Sequence, residues 1–411
     1  MLSTNNLFSF SGATGALDPV AWQELAGDLL YTSAPWLSFC RALYGDRVGA
    51  VHTVRDGALA AGIAVTELRT EAANPFYRWS DALTAAGLPT PGPSGLLVGQ
   101  QSGYQTHLLR GPGVDATAAA GSVTRAVRAL AETEDFRTRV GHTGAKAAPS
   151  IAMFLSTSDV GAFRAAGVTA PPLLLQLDAW IPVPDGGWDG YLAALDERRR
   201  NWGRSCAPWS VKSERRKFAA AGYTVEHHRL ADCVKDVGYL LAQTERRHGN
   251  DVDPEDCVAT FVHQAAATDS RGEVLLCRDD DGRAVGFCLF YEWQGAMYLR
   301  AVGFAYPRLK GANEYFNLVY YAPLEIAAER GLTWYHAGIE APEAKALRGA
   351  ELRGLWLLDL TAESILAGHE DRVRTANRAF LERAVGNARV VGRSVTQDVW
   401  DMAGLRPAGQ E

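Results

Sequence analysis

Val274-Leu-Leu-Cys-Arg278-Asp279-Asp280-Asp281-Gly282-Arg-Ala-Val-Gly286-Phe-Cys-Leu-Phe-Tyr-Glu292 decides how the fold is read. It is an apolar strand, an aspartate-rich turn closed by glycine, and a second apolar strand with a glycine near its start. Asp-Gly supplies the positive φ that a tight hairpin turn requires. An earlier stretch has the same design: Val51-His-Thr-Val-Arg55-Asp56-Gly57-Ala-Leu-Ala-Ala-Gly62-Ile-Ala-Val-Thr-Glu67. Two such hairpins at matching places in two halves predict a duplicated domain. Length agrees, because 411 residues exceed one ordinary core and suit two of about 200 each.

Around the first hairpin, residues 36–44 read as a helix, 87–103 as a Gly/Pro-rich stretch and 116–133 as an alanine-rich helix. A short strand (151–155) and a helix (160–166) follow. Pro171-Pro172 breaks the pattern and sets the expected boundary, with lobes at 1–172 and 173–395 and a tail at 396–411. The second half reads as a strand (173–181), helices at 188–200 and 211–221, a strand (224–228) and helices at 234–248 and 254–267. The hairpin comes next, then a strand (297–304), a long helix (313–330) and a strand (332–337).

Composition limits the functional classes. The chain is 47% hydrophobic and 21% charged, with a net charge of −6, which disfavours a general nucleic-acid binder but leaves room for a local basic patch. No run reaches the roughly 18 to 20 apolar residues of a membrane span. The start, Met1-Leu-Ser-Thr-Asn-Asn6, lacks the basic and apolar regions of a secretory signal, so a cytoplasmic protein is expected. Cys40, Cys206, Cys233, Cys257, Cys277 and Cys288 show no C-x-x-C spacing and read as reduced, mostly buried thiols. His227 and His228 are adjacent on a strand and point to opposite faces, so they do not read as ligands of one metal ion.

Four motifs in the second half carry a family resemblance. They are Tyr191-x-x-x-Leu195 followed by a basic helix, Leu241-x-x-Thr244-x-x-Arg247-His248-Gly249, Tyr320-Tyr321-x-x-x-Glu325-x-Ala327-x-x-Arg330-Gly331-Leu332, and Gly338-x-x-x-x-Glu343-x-Lys345-x-x-Arg348-Gly349. Over roughly residues 173–360 the chain resembles the Fem-like, peptidoglycan-biosynthesis-type branch of the GNAT superfamily of acyltransferases. The resemblance implies two tandem GNAT-like α/β lobes with mixed, mostly antiparallel sheets flanked by helices. It implies direct attack of an amine on an activated acyl group, with no tightly bound cofactor or metal. The donor would be aminoacyl-tRNA, as in Fem-like enzymes, or acyl-CoA. The acceptor would be a small-molecule or peptide amine, in specialised-metabolite or cell-wall peptide biosynthesis. A non-catalytic, GNAT-derived binding protein is the third reading.

Candidate site residues follow from position and type. Arg308-Leu-Lys310-Gly311-Ala312-Asn313 stands where an acyl-CoA enzyme carries its phosphate loop, with Asn313 departing from the expected Gly or Ala. The run Arg198-Arg199-Arg200, Arg204, Lys212, Arg215, Arg216, Lys217 is the densest positive region, and Trp202 and Trp209 interleave with it as stacking platforms for a tRNA would. A solvated face paired with Glu197 and Glu214 is its plainer reading. Glu340 and His336 are the candidate bases at the end of the 332–337 strand. His336 reads equally well as a satisfied core histidine. Tyr320 and Tyr321 are candidate proton donors, one expected in the core and the other at the pocket. Lys345 and Arg348, three apart and sharing a helix face, are expected to hold an anionic acceptor group or to form a surface group with Glu343.

Overall fold

The computed structural model describes residues 8–9, 17–143, 146–202, 207–386 and 388–405. Arg204, Cys206, the first six residues and the last six lie outside them. In chain order the strands are β1 (Phe8–Ser9), β2 (Val48–Arg55), β3 (Ala58–Leu68), β4 (Gly95–Val98), β5 (Leu109–Arg110), β6 (Ser150–Ser156), β7 (Leu173–Pro182), β8 (Thr224–Arg229), β9 (Gly272–Arg278), β10 (Ala284–Trp293), β11 (Ala296–Phe304), β12 (Trp334–Gly338) and β13 (Glu351–Asp359).

The chain forms two compact units. Unit 1 comprises Met1–Leu177, Arg353–Gly386 and Val395–Glu411; unit 2 comprises Asp178–Leu352 and Asn387–Ser394. This differs from a boundary at residue 172 and a terminal tail. Pro171-Pro172 leads straight into β7. The 395–405 stretch is no loose tail either: its helix Gln397–Ala403 buries Val399 and Trp400.

In unit 1 the strand order is β1-β2-β3-β4-β6-β13, with β5 beside β3. The β2/β3, β3/β4 and β6/β13 pairs are antiparallel, and β4/β6 is parallel. Unit 2 runs β7-β12-β11-β10-β9-β8. There β9/β10, β10/β11 and β7/β12 are antiparallel, and β11/β12 is parallel. Hairpin β2/β3 in one unit thus holds the place of β9/β10 in the other. In both, the third strand of the meander has a parallel neighbour and then an antiparallel one. The α/β class with mixed, mostly antiparallel sheets flanked by helices is the one expected.

The two hairpins share a packing reason for their early glycines. A Cβ on Gly62 would lie 2.7 Å from the Trp22 ring, and one on Gly286 would lie 2.8 Å from Phe304. An aromatic ring lies directly on the strand in each, so only glycine fits. The first turn also has the form its sequence requires, with positive φ at both Asp56 (53°) and Gly57 (81°).

The long helix of unit 2 starts and ends within a residue of expectation but is not uniform. It is α-helical over Glu314–Phe316, π-helical over Asn317–Tyr321 and α-helical again over Ala322–Glu329. Pro323 explains the change: it has no N–H to offer the Val319 carbonyl four residues back, and its ring crowds that oxygen. The freed carbonyl accepts a hydrogen bond from the buried Tyr335 hydroxyl on β12.

Candidate active site in unit 2

The parallel pair β11/β12 is in register only from Ala296/Trp334 to Tyr298/His336. β11 then continues six residues to Phe304 and β12 only two to Gly338, so the strands part. Beyond the divergence, Leu299, Arg300, Ala301 and Val302 on β11 are half-buried, without a β12 partner. The parting opens a gap beside β11, the place in this unit where an extended acyl group would lie.

On the other side of the opening, the chain leaves β12 through Glu340 and Ala341, both left-handed (φ 66° and 45°). Two consecutive non-glycine residues in this region store strain that the surroundings must hold. Lys345 supplies the restraint: its Nζ donates to the Gly338 carbonyl at 2.8 Å and also to the Ile339 carbonyl. Lys345 is 4% exposed, and burial pushes its ammonium down to about 7 despite the nearby carboxylates of Asp178 and Glu340. Glu340 itself is exposed. Lys345 is therefore a buried strut for the loop and not a surface acceptor residue.

His336 is fully buried, with Nε2 2.6 Å from Asp178 Oδ1, while the Trp180 indole donates to Asp178 Oδ2 at 2.7 Å. Its ring lies against Trp180 and Tyr298, at centroid distances of 4.7 and 5.3 Å. His336 is thus buried and partnered by Asp178, whereas the Glu340 side chain is exposed to solvent.

Tyr320 and Tyr321 are both buried. The Tyr321 hydroxyl donates to Glu214, and Arg348 Nη2 donates to the same carboxylate at 3.2 Å. The Arg348 guanidinium lies over Phe316 at 3.5 Å, and the Tyr191 hydroxyl donates to the Arg348 carbonyl at 3.1 Å. Arg348 is 3% exposed, so this is an internal brace between three helices, and Glu343 is not its partner. Tyr320 carries a hydroxyl raised well above its usual range, chiefly by burial.

The phosphate-loop candidates are internally matched. Arg308 donates to Asp279 at 2.8 Å and to Asp281 at 3.1 Å, and Lys310 Nζ donates to Asp280 at 2.8 Å and to the Ala221 carbonyl at 2.6 Å. The aspartates of the deciding hairpin therefore neutralise both cations. Inside the loop the Glu314 carboxylate accepts from the Lys310 amide at 2.8 Å and from the Tyr223 hydroxyl at 2.7 Å. Burial raises the Glu314 carboxyl, but the Tyr223 hydroxyl and the amides of Glu314, Ala312 and Lys310 outweigh it and hold it below the usual range. Amides that converge on one carboxylate in this way form an anion cradle, and a side chain of the protein fills it. Gly311 (φ 70°) and Asn313 (φ 62°) supply the left-handed turns of the loop, a conformation asparagine tolerates better than alanine.

The basic run divides in two. Arg198 lies over Trp202 at 4.2 Å, and Arg199 and Arg200 pair with Asp196. Arg215 stacks on Trp188 at 4.5 Å and pairs with Glu325 at 2.8 Å. Lys212, Arg216 and Lys217 instead are exposed on helix Pro208–Ala220, beside Trp209, which is 73% exposed. Trp209, Lys212 and Arg216 follow i, i+3, i+7 spacing and share one face. His227 and His228 have different partners, Glu273 and Glu226. Glu214, read from the sequence as a partner of the basic run, instead accepts from Tyr321 and Arg348, whereas Asp178 and Glu314 carry no role in the sequence reading. Only Asp178 left a signal there, as the one acid inside an apolar strand.

No family model matches the chain, and neither does any curated protein. Solved structures similar to it include FemX, at 14% identity over 84% of this chain and 94% of that one with a TM-score of 0.49. Another is L-PGS from Bacillus licheniformis, at 11% identity over 88% and 97% with a TM-score of 0.43. A third is a tandem GNAT protein from the clavulanic acid biosynthesis pathway, at 11% identity over 84% and 96% with a TM-score of 0.43. No helix among the described residues is long and apolar enough to cross a membrane. The structural neighbours include GNAT-type acyltransferases, the group whose motifs the sequence resembles.

Proposed function

We propose that unit 2 transfers an aminoacyl group from a charged tRNA to an amine, in the cytoplasm where charged tRNA is found. The observation that carries the transfer reading is the parting of β11 and β12 after Tyr298/His336, with the exposed Glu340 carboxylate at its edge. In this reaction the amine nitrogen attacks the acyl carbonyl. The ester bond to the tRNA ribose oxygen breaks, and an amide forms. Glu340 takes the proton released by the nitrogen and passes it to the leaving oxygen, so the carboxylate is regenerated. Lys345, bonded to the Gly338 and Ile339 carbonyls, fixes the backbone that leads to Glu340.

Two features favour tRNA over acyl-CoA as donor. The Glu314 carboxylate already fills the cradle that a pyrophosphate would use, and Arg308 and Lys310 are spent on Asp279–281. Trp209, Lys212, Arg216 and Lys217, by contrast, offer an exposed basic and aromatic face that suits a nucleic-acid strand. Filter binding of charged tRNA across a salt series tests this. Replacing Lys212, Arg216 and Lys217 together by alanine should flatten the salt slope by about 0.7 to 0.9 per lost phosphate contact. An unchanged slope removes this helix from the tRNA path.

A further inference from the structure

Unit 1 contains a cleft of about 550 Å³, within the range of small-molecule sites, and nothing in the transfer reaction uses it. Helix Trp79–Ala85 forms one wall and helix Glu370–Val385 the other, and Leu174 of β7 lies at its floor. The facing positions Ala82, Ala376 and Ala379 are small. A leucine at any of them would project into the space, so the cleft is written in the sequence as truncated side chains.

Polar groups in the lining are concentrated on the second helix. Arg372 and Arg383 both line the cleft and both are exposed. They are eleven residues apart, which places them on one helix face about 16 Å from each other. Among the described residues neither is within ion-pair distance of a carboxylate; Asp371, beside Arg372, is engaged 2.9 Å from Arg374. A trench with apolar walls and an unneutralised cation toward each end is matched by an elongated apolar body with a negative head. A compact sugar or nucleotide would leave the walls unpaired with apolar surface, and a cation would be repelled.

We propose that this cleft binds a linear amphiphile, an apolar chain carrying an anionic head group. A carboxylate and a phosphate monoester both satisfy a guanidinium, the latter with more acceptor oxygens. The site is independent of the transfer reaction in unit 2, and its test needs no turnover.

Isothermal titration of the full chain with octanoate, decanoate and dodecanoate below their micelle concentrations reads the apolar part. Affinity should rise about four-fold per added methylene, following the ~0.8 kcal/mol of each buried CH₂. Decyl phosphate tests the alternative head, and decanol should bind at least about ten-fold more weakly than either anion. Arg372→Ala and Arg383→Ala lie at exposed positions; the one that meets the head group should weaken anion binding while sparing decanol, and unchanged anion binding in the double variant would overturn the proposal. Ala379→Phe should fill the trench and abolish binding of every ligand, with Ala82→Leu on the opposite wall as a second filling variant should the first not fold. Absence of saturable binding, decanol binding as tightly as decanoate, or full affinity in a folded filling variant would each overturn the proposal.

Discussion

Replacing Glu314 with alanine removes a carboxylate that is 4% exposed and accepts from the Tyr223 hydroxyl at 2.7 Å and the Lys310 amide at 2.8 Å. Hydrogen bonds to a charged group contribute about 1.5 to 3 kcal/mol each. The cradle opens beside the exposed Lys310, so water partly satisfies the stripped donors and the full sum is not lost. The expected destabilisation is about 2 to 4 kcal/mol, read as a lower urea midpoint at unchanged slope. Its pH dependence has a definite sign. The carboxyl is held below its unfolded value near 4.3, so its contribution is present above that pH and fades as pH falls through the folded value. The emptied cradle should then accept an anion. Inorganic pyrophosphate at ten times its dissociation constant would return about 1.4 kcal/mol to Glu314→Ala and nothing to the wild type. Equal stability of the two proteins, or equal stabilisation of both by pyrophosphate, refutes the reasoning.

Two further predictions concern the loop after β12. Glu340→Gln should lower kcat by about 10²- to 10⁴-fold with little change in KM, measured by steady-state kinetics of amide formation; an unchanged kcat with a raised KM makes Glu340 a binding residue. Lys345→Met should cost stability at pH 6.5 to 7 through the lost bonds to Gly338 and Ile339. The native ammonium titrates near 7 and the unfolded one near 10.4, so wild-type stability gains on the methionine variant as pH rises through that window. Urea midpoints of both proteins between pH 6.5 and 10 check this, and a constant difference contradicts it.

Much of unit 2 was legible because its signals are local. Helix Pro254–Ala267 has the bounds that its Asp-Pro start predicts, and the strands on either side of the Asp/Gly turn needed only apolar runs and a turn residue. What escaped depended on partners distant in sequence. Lys345 lies in helix Pro342–Leu347 and Arg348 caps its end, but no local pattern tells that one turns to the carbonyls at the end of β12 and the other to Glu214, 134 residues away. Glu314 reads locally as an ordinary acid in a first helical turn; only Tyr223, 91 residues earlier, reveals the cradle. Pro323 is a visible signal that the helix cannot stay regular. The break expected at 172 lies five residues from the change of unit after Leu177, but the return of Arg353–Gly386 to unit 1 has no local signal. β13 is an apolar strand that follows the motif-rich region in sequence yet pairs with β6 of unit 1.

The central claim is aminoacyl transfer by unit 2, and the mass of its product tests that most directly. Purified protein would be incubated with tRNA charged with an isotopically labelled amino acid, and separately with acetyl-CoA, against the same panel of amines. The account predicts a labelled amide from the charged tRNA, its rate cut by Glu340→Gln, and no product from acetyl-CoA. A product from acetyl-CoA alone, or none from either donor across the panel, would contradict it.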